Sequence, residues 1–235
     1  MIFRDRTDAG NRLASALLQY DDDEPVVLGL PRGGVPVAAR IAAALHAPLD
    51  VVLVRKIGAP GQPELAAGAV VDADRPVIVR NEDVIATTAM TEAQFDRALS
   101  DQLAEIARRR TLYGGDRNTC PLADRTVIVV DDGIATGATM RAALQGLRLR
   151  SPRRLIVATP VAPPKAITAL HDLADEIVCL QTRSDFAAIG QFYDDFSQLE
   201  DDEVITILHR ALLQRSARSG PKAQQDGPRS PRGAA

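Results

Sequence analysis

Cys120 and Cys179 are the whole cysteine content of this 235-residue chain. They lie far apart, outside any CxxC or Cys/His cluster, which argues against a disulfide framework and against a zinc site. Both are expected to be reduced thiols. Histidine is scarce too: His46, His171 and His209 sit singly, without metal-ligand spacing. No stretch approaches the roughly 18 apolar residues of a membrane span, and the opening MIFRDRTDAG lacks the apolar region of a secretory signal. A cytoplasmic location with no membrane partner is the expectation. A dominant charge is missing as well. With 28 Lys and Arg against 31 Asp and Glu, the net charge is −3, so neither a strongly basic nucleic-acid surface nor an acidic disordered chain is indicated. Aromatics number only eight, with no tryptophan.

What the chain does have is apolar bulk, with 46% hydrophobic residues, enough for one full core. Continuous apolar runs recur at VVLGL (26–30), DVVLV (50–54), TVIVV (126–130), RLIVATPV (154–161) and EIVCL (176–180). Unbroken apolar character marks strands covered on both faces, as in a parallel sheet. Between them lie helical segments, VPVAARIAAALHA, TMRAALQGLRLR and PPKAITALHDLA. The fold class is therefore α/β, a parallel sheet flanked by helices and joined by right-handed crossovers.

A leading helix over about 7–20 places Leu13, Ala16, Leu17 and Tyr20 on one face for packing. The rhythm breaks between about Gly68 and Asp124. There GAVVDADRPVIVRNEDV reads as an antiparallel ribbon turning at 72–75. A helix follows, opened by the capping box of Thr91 and Gln94 and carrying Phe95, Leu99, Leu103, Ile106 and Arg110. This ribbon and helix form an insertion in the α/β core. Arg108, Arg109 and Arg110, near that helix's C-terminus, suit its dipole and read as a solvated face. The domain is expected over residues 1–215, with the insertion at 68–124 and a further variable segment at 184–204. The tail from Ser216, rich in Pro, Gly, Ser and basic residues, has almost nothing to bury and is expected to be disordered.

Chemistry concentrates in VIVVDDGIATGATM, residues 127–140. Asp131 and Asp132 end a buried strand, where open α/β sheets bind ligands. Ala135, Thr136, Gly137, Ala138 and Thr139 then offer small side chains, backbone amides and hydroxyls ahead of a helix, which is the chemistry of a phosphate site. Two carboxylates would repel a phosphate, so they are better suited to accept hydrogen bonds from sugar hydroxyls or to meet a metal through water. The combination describes a ribose phosphate. An ordinary capped turn is the plainer alternative, and an acid pocket of the response-regulator kind would sit near a domain's start.

This motif resembles the signature of type I phosphoribosyltransferases, which bind 5-phosphoribosyl-1-pyrophosphate (PRPP), and the likeness extends over roughly residues 2–214. It most resembles a bacterial group whose acceptor is mostly unassigned. The resemblance implies a type I fold with a small hood. It also implies that Asp131 and Asp132 hold the ribose 2′ and 3′ hydroxyls while residues 135–139 wrap the 5′-phosphate. In LGLPRGGVPVAARIAAAL, it assigns Arg32, Gly33 and Gly34 to the pyrophosphate, in a loop that often has unusual backbone geometry. Gly pairs allow close backbone approach and Arg is a strong phosphate donor. Arg55 and Lys56, in VVLVRKIGAPGQPELAAGAV, resemble the cations and mobile loop of adenine-type relatives. Together with Glu64 they are the candidate catalytic residues, although Glu64 also suits a helix start. Mg2+ would be carried by PRPP, with Asp131 and Asp132 in reach through water. Phe186, Phe192, Tyr193 and Phe196, half of all the aromatics, would line the hood; Phe192 and Tyr193 are candidates to stack on an acceptor ring, with core packing the alternative.

The implied function is transfer of the phosphoribosyl group to a nitrogenous acceptor with release of pyrophosphate; a PRPP-sensing regulator and a ribose-phosphate hydrolase are the alternatives. Ala135 stands where many 6-oxopurine enzymes carry Asp, which argues against hypoxanthine or guanine. The resemblance allows a homodimer.

Overall fold

The computed structural model describes residues 2–72, 76–114 and 120–218, except the side chains of Glu64 and Arg218. The expected turn at 72–75 falls mostly outside these residues, as does the tail from residue 219.

Five strands form a parallel sheet in the order β2-β1-β6-β7-β8: β1 (Val26–Gly29), β2 (Leu49–Val51), β6 (Thr126–Val130), β7 (Arg154–Ala162) and β8 (Glu176–Thr182). Their apolar runs are continuous because both faces are covered. Val27, Ile128, Val130 and Ile156 pack beneath α1 (Arg6–Leu17) and α2 (Gly34–Ala44). Leu28, Val129, Leu155 and Val157 meet Met140, Leu144 and Leu147 of α5 (Ala138–Arg148) and Leu170 of α6 (Pro164–Leu170) on the other face. Strict alternation along the strands divides one apolar string between two cores. On α1 the buried face is Leu13, Ala14 and Leu17, with Ala16 exposed, and the chain tightens into a 3₁₀ turn before Tyr20 is buried.

The run DVVLV does not form one strand. Pairing with β1 stops at Val51, and Val52 donates its amide to the Gly29 carbonyl. Leu53 accepts from the Asp72 amide, which starts a second sheet. That antiparallel sheet holds β3 (Val54–Ala59), β4 (Gln62–Val71) and β5 (Val77–Arg80) in the order β3-β4-β5. The departure from the parallel core therefore begins at Val54, earlier than the expected Gly68. The Gly/Pro-rich stretch expected as a loop is a β3–β4 hairpin, turning at Gly61 with φ +71°, a region glycine adopts without strain.

Behind the second sheet lie α3 (Glu82–Thr87) and α4 (Glu92–Leu112), the latter opened by the expected Thr91–Gln94 capping box. Phe95 joins Ile57, Ala67 and Ile85 in a core of its own. Gly146 of α5 gives β4 its approach: a Cβ there would stand 2.6 Å from the Val71 side chain. The last helix, α7 (Asp201–Arg218), buries Val204 and Leu208 against Val35, Leu53 and Ile106. It continues past Arg215 to Arg218, where the sequence predicted a disordered tail.

Among the described residues no helix is long and apolar enough to cross a membrane.

Candidate functional site

The chain leaves β1 for β2 on one side and later returns through β6 on the other, so the order of strands reverses between β1 and β6. At such a switch point the connections diverge and leave a crevice beyond the strand ends. Residues 30–34 leave β1 there, and residues 131–139 leave β6 there. The two stretches share hydrogen bonds: the Leu30 amide donates to the Val130 carbonyl, 2.9 Å.

They touch through glycine. A Cβ on Gly33 would overlap the Asp132 carboxyl group, and one on Gly34 would meet the Val130 carbonyl oxygen, in both cases closer than 3.0 Å. The Pro31–Arg32 peptide bond is cis. The Arg32 guanidinium lies 3.6 Å from the Glu200 carboxylate and 3.9 Å from that of Asp201, both near the start of α7. Such partly exposed pairs are weak, so Arg32 is available for exchange. Tyr113 donates its hydroxyl to Asp201 at 2.6 Å; burial, then the Asp201 hydrogen bond, pushes its phenol up to about 12.

The two acids differ. Asp132 is buried, its Oδ2 bonded by Arg6 Nε at 2.7 Å, while the Tyr193 hydroxyl donates to its backbone carbonyl at 2.6 Å. Asp131, partly open at the crevice, accepts the Asp132 amide on Oδ1 at 2.9 Å. Its carboxyl is held well above the usual carboxylate range by burial first and then by the Asp132 charge, with Arg6 pulling the other way.

Beyond the acids, Ala135, Thr136, Ala138 and Thr139 are exposed, and Gly137 takes φ +78° to turn the chain into α5. No side chain of Gly137 can cap the helix; Thr136 Oγ1 accepts from the Ala138 amide at 3.4 Å. The loop is a run of small residues at a helix N-terminus, suited to an anion.

Arg55 and Lys56 point to opposite faces of β3, as neighbouring strand residues must. Lys56 lines a cavity of about 520 Å3 between the second sheet and α5, bordered by Arg80, Arg141, Ala138 and Thr139. Arg55 donates to Gln102 Oε1 at 3.0 Å and lines a smaller cavity with Leu30, Pro31, Arg109 and Thr139. Thr139 borders both, so the two cations flank the end of the phosphate-type loop. Glu64 lies on β4, and its side chain is outside the described residues.

Phe192 and Tyr193 are 5% and 6% exposed, packed with Phe3, Ala9 and Val161. Rings so enclosed have no open face for an acceptor to stack on, and the expectation of stacking is replaced by core packing. Phe196 is less buried and lies under the Arg6 guanidinium, 4.0 Å from carbon to ring centroid.

Arg6 is the residue that sequence reasoning missed, 126 positions from its partner Asp132. No local pattern marks it. Arg109, which the sequence places on a solvated face, bonds Glu105 at 2.7 Å yet lines the small cavity by Thr139. Its neighbours behave as expected: Arg108 pairs with Glu105 and Arg110 with Asp72. For a metal, no cluster of three or more His, Cys, Asp or Glu side chains exists among the described residues.

Comparison with known proteins converges on one family. Residues 3–197 match the family model described as "Phosphoribosyl transferase domain". Two Mycobacterium tuberculosis sequences, both named "Putative phosphoribosyl transferase", are 46% identical over 210 residues, 89% of this chain and 47% of each relative. The chain thus spans about half the length of those curated relatives. Among solved structures, TT1426 from Thermus thermophilus superposes with a TM-score of 0.80 at 43% identity, covering 89% of this chain and 99% of that one.

Proposed function

The chain belongs to the phosphoribosyl transferase domain family, and on that premise we propose that it transfers the 5-phosphoribosyl group of PRPP to a nitrogenous ring acceptor, releasing pyrophosphate. The observation that carries this reading is the contact of the Gly33 backbone with the Asp132 carboxyl group. It brings the loop after β1 and the acid pair after β6 side by side at one strand-end crevice, which supports giving the pyrophosphate to the first and the sugar to the second.

In this reading residues 135–139 take the 5′-phosphate on backbone amides and on the hydroxyls of Thr136 and Thr139. Asp131 accepts from one ribose hydroxyl. Asp132 accepts from the other with lone pairs that Arg6 leaves open, since a carboxylate has about four acceptor directions. Arg32, Gly33 and Gly34 receive the pyrophosphate. Arg55 and Lys56 approach from either side of Thr139 and offset the charge that builds on the departing group. The rate gain comes from positioning and from fixed charge placed where charge develops. Glu64, on the hairpin strand β4, is retained as a candidate acid of the closing segment.

Mg2+ fits as a passenger of the pyrophosphate. The residues present offer a carboxylate pair with one member already ion-paired to Arg6, which suits contact through water better than a cage of direct ligands. Bound there, it would neutralise phosphate charge. The acceptor is expected to be a ring other than hypoxanthine or guanine, because Ala135 supplies no carboxylate next to it. Residues 1–215 act as one domain in this account, with the second sheet and its helices as the hood.

The test is incubation with PRPP, Mg2+ and a panel of nucleobases and related rings, reading pyrophosphate. Release that depends on one ring supports the transferase. Binding of PRPP without release under any ring favours a sensor, and release without a ring favours a hydrolase.

A further inference from the structure

Arg6 is the first residue of α1, and three separate interactions use its one guanidinium. Nε bonds Asp132 Oδ2 at 2.7 Å. One terminal nitrogen donates to the Ser197 carbonyl at 2.8 Å. The plane covers the Phe196 ring at 4.0 Å. Both partners of the ion pair are nearly buried, with side chains 12% and 8% exposed. A buried pair of this kind is weak as a source of stability, because desolvation offsets most of the attraction. Its geometry is nevertheless sharply defined: a planar fork fixes direction where an ammonium would fix only charge.

The backbone brings Arg6 to this place from a distance. Phe3 donates to the Phe192 carbonyl and accepts from the Asp194 amide, each at 2.8 Å, and Arg4 accepts from Asp195 at 2.8 Å. The start of the chain is thereby stitched to residues 192–195, two residues before α1 begins and just ahead of Phe196. The same segment sends the Tyr193 hydroxyl to the Asp132 carbonyl. Asp132 is therefore held at its side chain by the N-terminal segment and at its backbone by the segment after β8. Meanwhile Ile189 closes on Gly133, where a Cβ would stand 2.5 Å from it.

We infer that Arg6 is the positioning residue of the acid pair: it fixes the Asp132 carboxylate in the orientation that receives a ribose hydroxyl, and it couples that carboxylate to Phe196 and Ser197. The inference rests on the proposed transferase reading. Without Arg6, the Asp132 carboxylate would lose the guanidinium that fixes its direction beside Asp131.

The experiment is calorimetric binding of PRPP with Mg2+ to the wild-type chain, R6Q, R6K and D8N, with the thermal midpoint of each. Asp8 bonds the Arg4 amide and the Arg12 guanidinium and does not touch the acid pair, so D8N loosens the N-terminal segment while leaving the Arg6 guanidinium present. R6Q is expected to bind roughly tenfold or more weakly, because the carboxylate that receives the hydroxyl loses its fixed position. R6K recovers most of the charge effect and remains a few-fold short of wild type, and D8N keeps wild-type affinity. Absence of binding by the wild type overturns the transferase reading and this inference with it. Wild-type affinity in R6Q overturns the inference alone, as does a loss in D8N equal to that in R6Q, or an R6K no better than R6Q. Should R6Q fail to fold, folded R6K decides: a few-fold loss supports the role and unchanged affinity overturns it.

Discussion

Gly33 lies against the carboxyl group of Asp132 so closely that no side chain fits between them. A loop after the first strand and an acid after the sixth, far apart in sequence, thus become one surface. The two halves of the crevice depend on each other's shape.

Gly33→Ala tests that dependence. Its methyl would force the Asp132 carboxylate or the loop to shift, an overpacking cost of about 1 to 3 kcal/mol. PRPP affinity is expected to fall by about tenfold or more while the fold survives. Binding calorimetry beside a thermal melt separates the two, and an alanine variant that binds as wild type would remove the contact from the account.

Asp131 should show opposite effects on stability and binding. Its folded carboxyl is raised above its ordinary value by burial and by Asp132. Such a group contributes stability that is fully present below the unfolded value of 3.8 and is lost as pH rises through the raised folded value. At neutral pH the ionised form costs stability. Asp131→Asn should therefore raise the thermal midpoint at pH 7 more than at pH 4, and should abolish PRPP binding. Melts at the two pH values check the first half; an equal change at both would contradict it.

Glu105 runs the other way. Hydrogen bonds from Arg108 first, then Arg109, hold its carboxyl down at about 2. Its contribution is present above the ordinary 4.5 and is lost as pH falls toward 2. Because the pairs lie partly in solvent, Glu105→Gln should cost no more than about 1 kcal/mol at pH 7 and nothing near pH 2, read from denaturant melts. It also frees Arg109 beside the small cavity, so any change in PRPP affinity should be a gain.

Much of this was legible before the structure. Four of the five core runs, the capping box at Thr91 and the small-residue loop at 135–139 are local patterns that survive folding. The break inside DVVLV was not legible, because Val52 and Leu53 are as apolar as their neighbours; only their hydrogen bonds to Gly29 and Asp72 send the chain into a second sheet. Nor was the burial of Phe192 and Tyr193, since rings in a hood and rings in a core look alike in sequence. Arg6 needed the stitching of Phe3 to Phe192 to become visible.

Lys56 and Arg55 divide by face. Lys56→Ala should lower turnover or pyrophosphate affinity more than Arg55→Ala, because Lys56 borders the cavity of about 520 Å3 beside Ala138 and Thr139 whereas the cavity at Arg55 is far smaller. Steady-state kinetics in both directions would measure this. Equal and negligible effects would remove both cations from the site.

That Asp131 and Asp132 hold the ribose of PRPP meets its sharpest check in PRPP calorimetry with Mg2+ on the wild type and on the Asp131→Asn, Asp132→Asn double variant. Saturable binding is expected of the wild type, and none of a double variant that remains folded. Undiminished affinity in that variant would overturn the assignment of the acid pair to the sugar.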